Sequence, residues 1–116
     1  MKILVTAKDR GLDAEVDGRF GRCPFFVVVD SSTMAATSVE NPGTKATGGA
    51  GVAAAQGALD LKPDAILTGE VGPHAMKMLE GSGVKIVTGA KGSVREAVER
   101  CTSTETVKIS RNATSM

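Results

Sequence analysis

Short apolar runs, separated by polar and glycine-rich connections, predict the secondary structure of this chain. Residues 3–5 are an uninterrupted Ile-Leu-Val run, which is typical of a central strand buried on both faces. Residues 25–29, rich in Phe and Val, predict a second strand, and residues 34–40 predict a weaker third strand at an edge of the sheet. Turn residues at 30–33 join these two strands as a hairpin.

Helical and strand patterns alternate after the hairpin. Apolar residues at helical spacing predict a helix over residues 50–60, and residues 65–67 predict a fourth strand. Pro73 suits the first turn of a second helix, because its missing N–H has no partner to lose there. Residues 84–87 predict a fifth strand.

The order of the elements predicts the fold class. A last helix follows Ser93, which forms a capping box with Glu96, so the order is β-β-β-α-β-α-β-α. This order predicts a single-domain α/β fold, with a mixed five-stranded sheet in the order 3-2-1-4-5, strand 2 antiparallel and helices packed on it. We expect the domain to span residues 1–110, followed by a polar, disordered tail at 111–116.

Four connections leave the same edge of such a sheet. Strands 1, 3, 4 and 5 would run parallel, and open α/β sheets bind ligands beyond the carboxyl ends of parallel strands. We therefore expect residues 8–24, 41–51, 69–74 and 89–93 around one surface. Three of these connections lead into a helix, whose first N–H groups point outward and favour an anion.

Arginines and glycines in these connections suit an anionic ligand. Arg19 and Arg22 supply positive charge, and the glycines allow the backbone to approach a ligand closely. The alternative is that the glycines only form the tight turns that compact α/β domains need. The chain contains neither a Walker A sequence nor a G-x-G-x-x-G fingerprint.

Composition narrows the classes of partner. The 116 residues include 14 Lys and Arg against 13 Asp and Glu, a net charge of +1, which gives no broad positive field for nucleic acid. With three Phe, no Trp and no Tyr, the chain also lacks a platform for stacking bases. The N-terminal apolar run is too short for a signal peptide or a membrane span, so we expect a cytoplasmic protein whose two Cys are free thiols.

Three segments resemble one known family. Residues 16–26 have the sequence V-D-G-R-F-G-R-C-P-F-F, residues 48–51 form G-G-A-G at the start of a helix, and residues 68–75 have the sequence T-G-E-V-G-P-H-A. In this order they resemble the signature segments of the dinitrogenase iron–molybdenum cofactor biosynthesis family, over residues 1–101. The resemblance implies an RNase H-like α/β fold that binds or carries the iron–molybdenum cofactor or a precursor. It also implies a relation to small stand-alone members, one of which carries a molybdenum–copper sulfide cluster.

The three segments supply the candidate cofactor-binding residues. They are Arg19, Phe20, Gly21, Arg22, Cys23, Gly48, Gly49, Gly51, Gly69, Gly72, Pro73 and His74. Cys23 and His74 are also candidate metal ligands, because nearby arginines favour a thiolate and neutral imidazole binds borderline metals. The alternatives are a structural thiol at a strand start for Cys23 and a solvent-facing residue at a helix start for His74. One Cys cannot hold an Fe–S cluster, which usually needs four thiolates.

The remaining sulfur and acidic candidates have simpler explanations. Sulfur residues on predicted apolar helix faces are expected in the core, and these are Met76, Met78 and Cys101. Acids near the loop surface are expected to be solvated rather than catalytic, and these are Asp9, Asp17 and Glu70. A nuclease is disfavoured, because two-metal chemistry needs clustered carboxylates and residues 2–6 of the first strand contain none.

The sequence therefore predicts a non-catalytic carrier or assembly domain for a small anionic metal–sulfur cluster. The expected cluster contains molybdenum, with copper or iron as candidate further metals. The expected partners are this cluster and other cluster-assembly or regulatory proteins, with no nucleic acid and no membrane. The alternative is a nucleotide- or phosphate-binding or protein-interaction regulatory module at the same surface, because helix N-termini bind phosphate as well as sulfide.

Overall fold

A five-stranded mixed sheet organises residues 1–102, the part of the chain that this computed structural model describes. Its strands are β1 (Lys2–Ala7), β2 (Phe25–Asp30), β3 (Ala35–Glu40), β4 (Ala65–Leu67) and β5 (Lys85–Val87). They lie in the order β3-β2-β1-β4-β5, with β2 antiparallel to both of its neighbours and β1, β4 and β5 parallel. The predicted strand order is confirmed, and the predicted tail at 111–116 lies outside the described residues.

The hairpin differs from the prediction by one residue. Met34, expected as the first residue of the third strand, has a φ of 61° and belongs to the turn. Its N–H donates to the Asp30 carbonyl at 2.7 Å, which closes the turn before β3 begins. Few residues other than glycine adopt a positive φ, and the pattern of apolar and polar residues does not indicate where one occurs. The place of Met34 in the turn could therefore not be predicted from the sequence.

Helices cover both faces of this sheet. The described helices are α1 (Ala50–Asp60), α2 (Pro73–Ser82) and α3, whose described part is residues 94–102, and a short 3-10 helix (Pro42–Lys45) precedes α1. The predicted capping box is present at the start of α3: Ser93 Oγ accepts the Glu96 N–H at 3.1 Å, and Glu96 Oε1 accepts the Ser93 N–H at 2.9 Å. Within residues 1–102, no helix has both the length and the apolar character of a membrane span.

Two apolar clusters, one on each face of the sheet, hold the helices in place. Alternate residues of β1 point to opposite faces, so Val5 packs on the α3 side and Leu4 packs on the α1 and α2 side. On the second face, Ala54, Ala55 and Ala58 of α1 are fully buried. These small side chains bring α1 close to the sheet and fix where its first turn lies relative to the loops.

Candidate functional site

The connections after β1, β3, β4 and β5 meet along one edge of the sheet, which we call the loop rim. It consists of residues 8–24, 41–49, 68–72 and 88–93. This edge is the carboxyl end of the parallel strands, where open α/β sheets bind their ligands.

Backbone pairing joins the first loop of the rim to the third. The Glu70 N–H donates to the Gly18 carbonyl at 2.6 Å, and the Phe20 N–H donates to the Glu70 carbonyl at 3.2 Å. Beneath this junction, the buried hydroxyl oxygens of Thr6 and Thr68 lie 2.8 Å apart within hydrogen-bonding distance. The first loop is therefore fixed beside the segment that leads into α2.

Asn41 joins the second loop to the first. Its Nδ2 group donates to the Phe20 carbonyl at 3.1 Å and to the Cys23 Sγ at 3.3 Å, and its Oδ1 accepts the Gly43 N–H at 2.9 Å. The sequence did not single out this residue, because Asn-Pro-Gly is a common turn signal and gives no sign of partners in another loop.

The fourth loop completes the rim through bonds to the other loops. The Ala90 N–H donates to the Thr68 carbonyl at 2.9 Å, and the Val16 N–H donates to the Gly92 carbonyl at 2.8 Å. The predicted meeting of the four loops at one edge is confirmed by these bonds. Arg19, Gly49 and His74 therefore lie in segments that share this edge.

The helices α1 and α2 begin side by side at the rim, and we call residues 49–52 and 72–75 the paired helix starts. A Cβ placed on Gly51 would lie 3.5 Å from the Cβ of Ala75, so the two first turns are in contact. Both N-cap residues, Gly49 and Gly72, are glycines, and no described side chain caps either helix. The first N–H groups of each helix lack an intrahelical acceptor, so two positive helix ends meet at one place.

Gly51 lies at the contact between the two helices, and the other five candidate glycines divide into two groups. A Cβ on Gly21 would lie 3.2 Å from the backbone of Gly51, and a Cβ on Gly69 would lie 2.6 Å from the Gly18 carbonyl oxygen. These two glycines allow one backbone to pack on another, which corresponds to the tight-turn alternative. Open space surrounds the other group, with no heavy atom within 4 Å of an added Cβ: Gly48, Gly49 and Gly72.

A buried acid holds the charge of Arg19. Asp17 is 2% exposed, and its carboxylate accepts the Arg19 backbone N–H at 2.9 Å and two guanidinium N–H groups at 3.1 and 3.2 Å. Burial alone would raise the pKa of Asp17, but the hydrogen bonds and charge of Arg19 hold this pKa below its usual value. The prediction that Asp17 is solvated is wrong, because its partner compensates for its burial.

Arg22 differs from Arg19 in having no acidic partner among residues 1–102. It is exposed on the first loop, next to Gly21, and no described carboxylate lies within ion-pairing distance of it. Its positive charge is therefore available to an anion at the rim.

Two candidate residues are buried beneath the rim. Phe20 is 1% exposed and stacks on Phe26 with ring centroids 5.8 Å apart, so its side chain belongs to the core. Cys23 is fully buried, and this burial raises the pKa of its thiol to about 12. The prediction that nearby arginines lower the Cys23 pKa is wrong, because loss of water is the largest effect on this thiol and the charge of Asp17 also disfavours the thiolate. The structural-thiol alternative for Cys23 is favoured.

His74 and Pro73 are exposed in the first turn of α2, beside the open Gly72. His74 thus has access to solvent and to the rim, and its role as a metal ligand stays a prediction. Among residues 1–102, no three His, Cys, Asp or Glu side chains lie together in a way that could hold a metal ion.

A separate shallow cavity of about 330 Å³ lies at the opposite end of the sheet. The ends of α1 and α2 and the segments that enter β4 and β5 form it. Its lining includes Leu59, Lys62, Asp64 and Val84, and it contains none of the candidate residues.

The fold and the rim together define a small open-sheet α/β domain with an anion-compatible loop edge. The sequence profile named for the dinitrogenase iron–molybdenum cofactor matches residues 1–104. The chain belongs to this dinitrogenase iron–molybdenum cofactor family, and the resemblance inferred from the sequence is confirmed.

Solved structures with the same fold include three informative neighbours. The apo form of the orange protein from Desulfovibrio gigas has 44% sequence identity and a TM-score of 0.83, over 88% of this chain and 87% of that one. The protein PH0822 has 26% identity and a TM-score of 0.72, over 85% and 87% of the two chains. A Thermotoga protein of the DUF35 family, at 24% identity and a TM-score of 0.73 over 88% and 87%, shares the fold. A comparison with curated proteins finds no match.

Proposed function

We propose that this domain binds a small anionic metal–sulfur cluster at the paired helix starts and serves as a carrier or assembly protein rather than a catalyst. The observation that carries the proposal is the contact between the first turns of α1 and α2, each begun by a glycine and left without a side-chain cap. Each exposed helix end stabilises an anion by about 0.3–1 kcal/mol, so two ends and the charge of Arg22 act together.

The family supports a metal–sulfur ligand in particular. Its description names the iron–molybdenum cofactor, and the orange protein that this chain resembles is described in an apo form, a term for a protein without its bound group. Bridging sulfides carry negative charge and accept hydrogen bonds from backbone N–H groups. We propose a cluster that contains molybdenum, with copper or iron as the further metal.

The side chains at the rim support reversible binding. Cys23 is buried and protonated, which leaves His74 as the exposed imidazole that could add one direct bond to a metal. N–H groups, Arg22 and one imidazole hold a cluster less firmly than the four thiolates of a resident Fe–S site. Weak attachment suits a protein that passes its cluster to another assembly protein.

Reconstitution tests this proposal. The apo protein is incubated without oxygen with tetrathiomolybdate, alone and with Cu(I) or Fe(II), desalted, and analysed for metal, acid-labile sulfide and visible absorbance. We expect a coloured complex that survives desalting and releases its metal to a stronger thiol chelator. A folded protein that leaves the column without metal or sulfide would contradict the proposal.

A thermal-shift assay separates a metallocluster from a phosphate ligand. Thermal unfolding is measured with tetrathiomolybdate, inorganic phosphate and a nucleoside triphosphate at equal concentration. A ligand that binds only the folded state raises the unfolding temperature, and at equal concentration the ligand that binds more tightly raises it further. We expect the thiometallate to give the largest shift, whereas a larger shift with the nucleotide would support the regulatory-module alternative.

A further inference from the structure

We propose that Asn41 is the positioning residue of the candidate site: its buried carboxamide sets the spacing between the turn that carries Arg22 and the start of α1. This role deepens the proposed function, on which its ligand readout depends. Its second readout, the protection of the Cys23 thiol, needs no ligand.

The NH₂ group and the oxygen of the Asn41 carboxamide both form hydrogen bonds, and their partners lie in different loops. The two Nδ2 hydrogens go to the Phe20 carbonyl at 3.1 Å and to the Cys23 Sγ at 3.3 Å, in the first loop. The Oδ1 atom accepts the Gly43 N–H at 2.9 Å, in the second loop. Because a backbone N–H can only donate, the atom facing Gly43 must be the oxygen, and this fixes the NH₂ group toward the first loop.

The Asn41 backbone adds a second tie between the same two loops. Its N–H donates to the Pro24 carbonyl at 3.0 Å, and its carbonyl accepts the Thr44 N–H at 3.2 Å and the Thr44 hydroxyl at 2.9 Å. The residue is 1% exposed, so water does not compete for these bonds. Removing the Asn41 side chain would leave its buried partners without hydrogen bonds. The resulting loss of folding free energy exceeds the net contribution of the bonds, because the partners also lack water.

Gly43 carries this constraint to the helix start. A Cβ on Gly43 would lie 2.6 Å from the Gly21 carbonyl oxygen and 2.7 Å from the Ala50 carbonyl oxygen, so the glycine is packed between them. Gly21 precedes Arg22, and Ala50 is the first residue of α1. A displacement of the Asn41 carboxamide therefore changes the spacing between the Arg22 turn and the N–H groups of α1, which an anion must bridge.

Two substitutions remove the NH₂ donor without adding a charge. Asn41→Ser and Asn41→Thr each keep an oxygen that can accept the Gly43 N–H, but neither can donate to both Phe20 and Cys23. Both are made in a Cys101→Ser background, so that Cys23 is the only thiol. The measurements are the rate of Cys23 labelling by a disulfide reagent at neutral pH and the Kd for tetrathiomolybdate, with folding checked by circular dichroism.

We expect Cys23 labelling to become about tenfold faster, because loosened loops let water and the reagent reach a thiol that burial protects. We expect the Kd to rise about tenfold, because two buried hydrogen bonds that hold the loops are lost at once. The matched control is Ser38→Ala, which removes the Ser38 Oγ that accepts the Gly11 N–H at 2.9 Å and anchors another part of the first loop. This control should leave both measurements at the values of the parent protein.

Two results would overturn the role proposed for Asn41, and a third would refute the proposed function on which its ligand readout depends. Labelling and Kd at parent values in a folded Asn41 variant would overturn it, and so would faster labelling with an unchanged Kd, which is the result of a merely structural residue. A parent protein that does not bind tetrathiomolybdate refutes the proposed function, and the labelling rates alone then decide whether Asn41 joins the loops.

Discussion

The Asp17 carboxylate and the Arg19 guanidinium form a two-point ion pair, with Nε and Nη2 lying 3.2 and 3.1 Å from the two carboxylate oxygens. The acid side chain is 3% exposed and the arginine side chain is 67% exposed. The Asp17 carboxylate is therefore buried, and the Arg19 guanidinium is exposed at the rim. The ion pair fixes the orientation of the Arg19 guanidinium before any ligand binds. Because Asp17 neutralises its charge, Arg19 can offer oriented N–H donors to a ligand but adds little net positive charge.

The first prediction concerns the pH dependence of stability. The Asp17 pKa is below its usual value in the folded chain, so its contribution is present above about pH 4 and is lost as the pH falls through the folded pKa. We expect the free energy of unfolding in urea to fall less steeply in Asp17→Asn than in the parent between about pH 5 and pH 3.

The control for this experiment is Asp13→Asn. The Asp13 carboxylate also faces an arginine, Arg95, at 3.5 Å, but it is 92% exposed, so its ion pair contributes little. Asp13→Asn should keep the slope of the parent protein. The same slope in parent and Asp17→Asn would show that the buried pair does not stabilise the fold.

The second prediction concerns the reactivity of Cys23. A pKa of about 12 means that the folded protein holds this proton above the pH at which a free thiol loses it. In Cys101→Ser, labelling of Cys23 at about pH 8 should be about a thousandfold slower than labelling of free cysteine, because the thiolate is that much rarer. Rapid labelling of folded protein would contradict the burial of this thiol.

The raised pKa of Cys23 also determines how the free energy of unfolding changes at high pH. The folded state binds the Cys23 proton more tightly than the unfolded state, so this contribution is complete below about pH 8.5 and declines as the pH rises toward 12. The difference in unfolding free energy between the parent and Cys23→Ala should therefore shrink from about pH 8 to pH 10. A constant difference would argue against the raised pKa.

The third prediction separates the packed glycines from the open ones. A methyl group on Gly69 would lie 2.6 Å from the Gly18 carbonyl oxygen, whereas a methyl group on Gly48 would have no neighbour within 4 Å. We expect Gly69→Ala to lower the free energy of unfolding by about 3 kcal/mol, because the two loops must separate. Gly48→Ala should change it by no more than about 0.5 kcal/mol. Equal effects in urea titrations would contradict this division.

The fourth prediction concerns Arg22, the exposed arginine at the rim that forms no ion pair with a described carboxylate. Reversing the charge in Arg22→Glu should weaken tetrathiomolybdate binding at least about tenfold and reduce its dependence on salt, since a charge-assisted contact is lost. Lys62→Glu reverses a charge beside the cavity at the opposite end of the sheet. Isothermal titration should give Lys62→Glu the Kd of the parent, and an equal loss in both variants would indicate attraction by net charge alone.

The topology could be predicted because each strand has a local signal and the connections allow few arrangements. Continuous apolar runs indicate β1 and β4, and a hairpin followed by right-handed crossovers orders the strands. That α1 and α2 both begin at this edge follows from the same reasoning, since Gly49 and Gly72 lie before helical patterns. These features depend on neighbours in sequence and on general rules of sheet topology. The contact between the first turns of α1 and α2 is known only from the structure.

Burial at the rim could not be predicted in the same way. Asp17, Cys23 and Asn41 lie in polar connections, and whether each is buried depends on partners in other loops. Asp17 is buried because Arg19 binds its carboxylate, and Cys23 is buried because Phe20 and Asn41 enclose its sulfur. A sequence pattern reports the surroundings of a residue along the chain and contains no information on such contacts.

An NMR titration tests most directly whether the paired helix starts bind the anionic ligand. Tetrathiomolybdate is added to the ¹⁵N-labelled apo protein without oxygen, and amide shifts are followed to saturation. We predict that the largest shifts occur at the N–H groups of residues 49–52, 72, 74 and 75. Largest shifts at residues 59–64 and 82–84, around the opposite cavity, or an unchanged spectrum of the folded protein, would contradict the account.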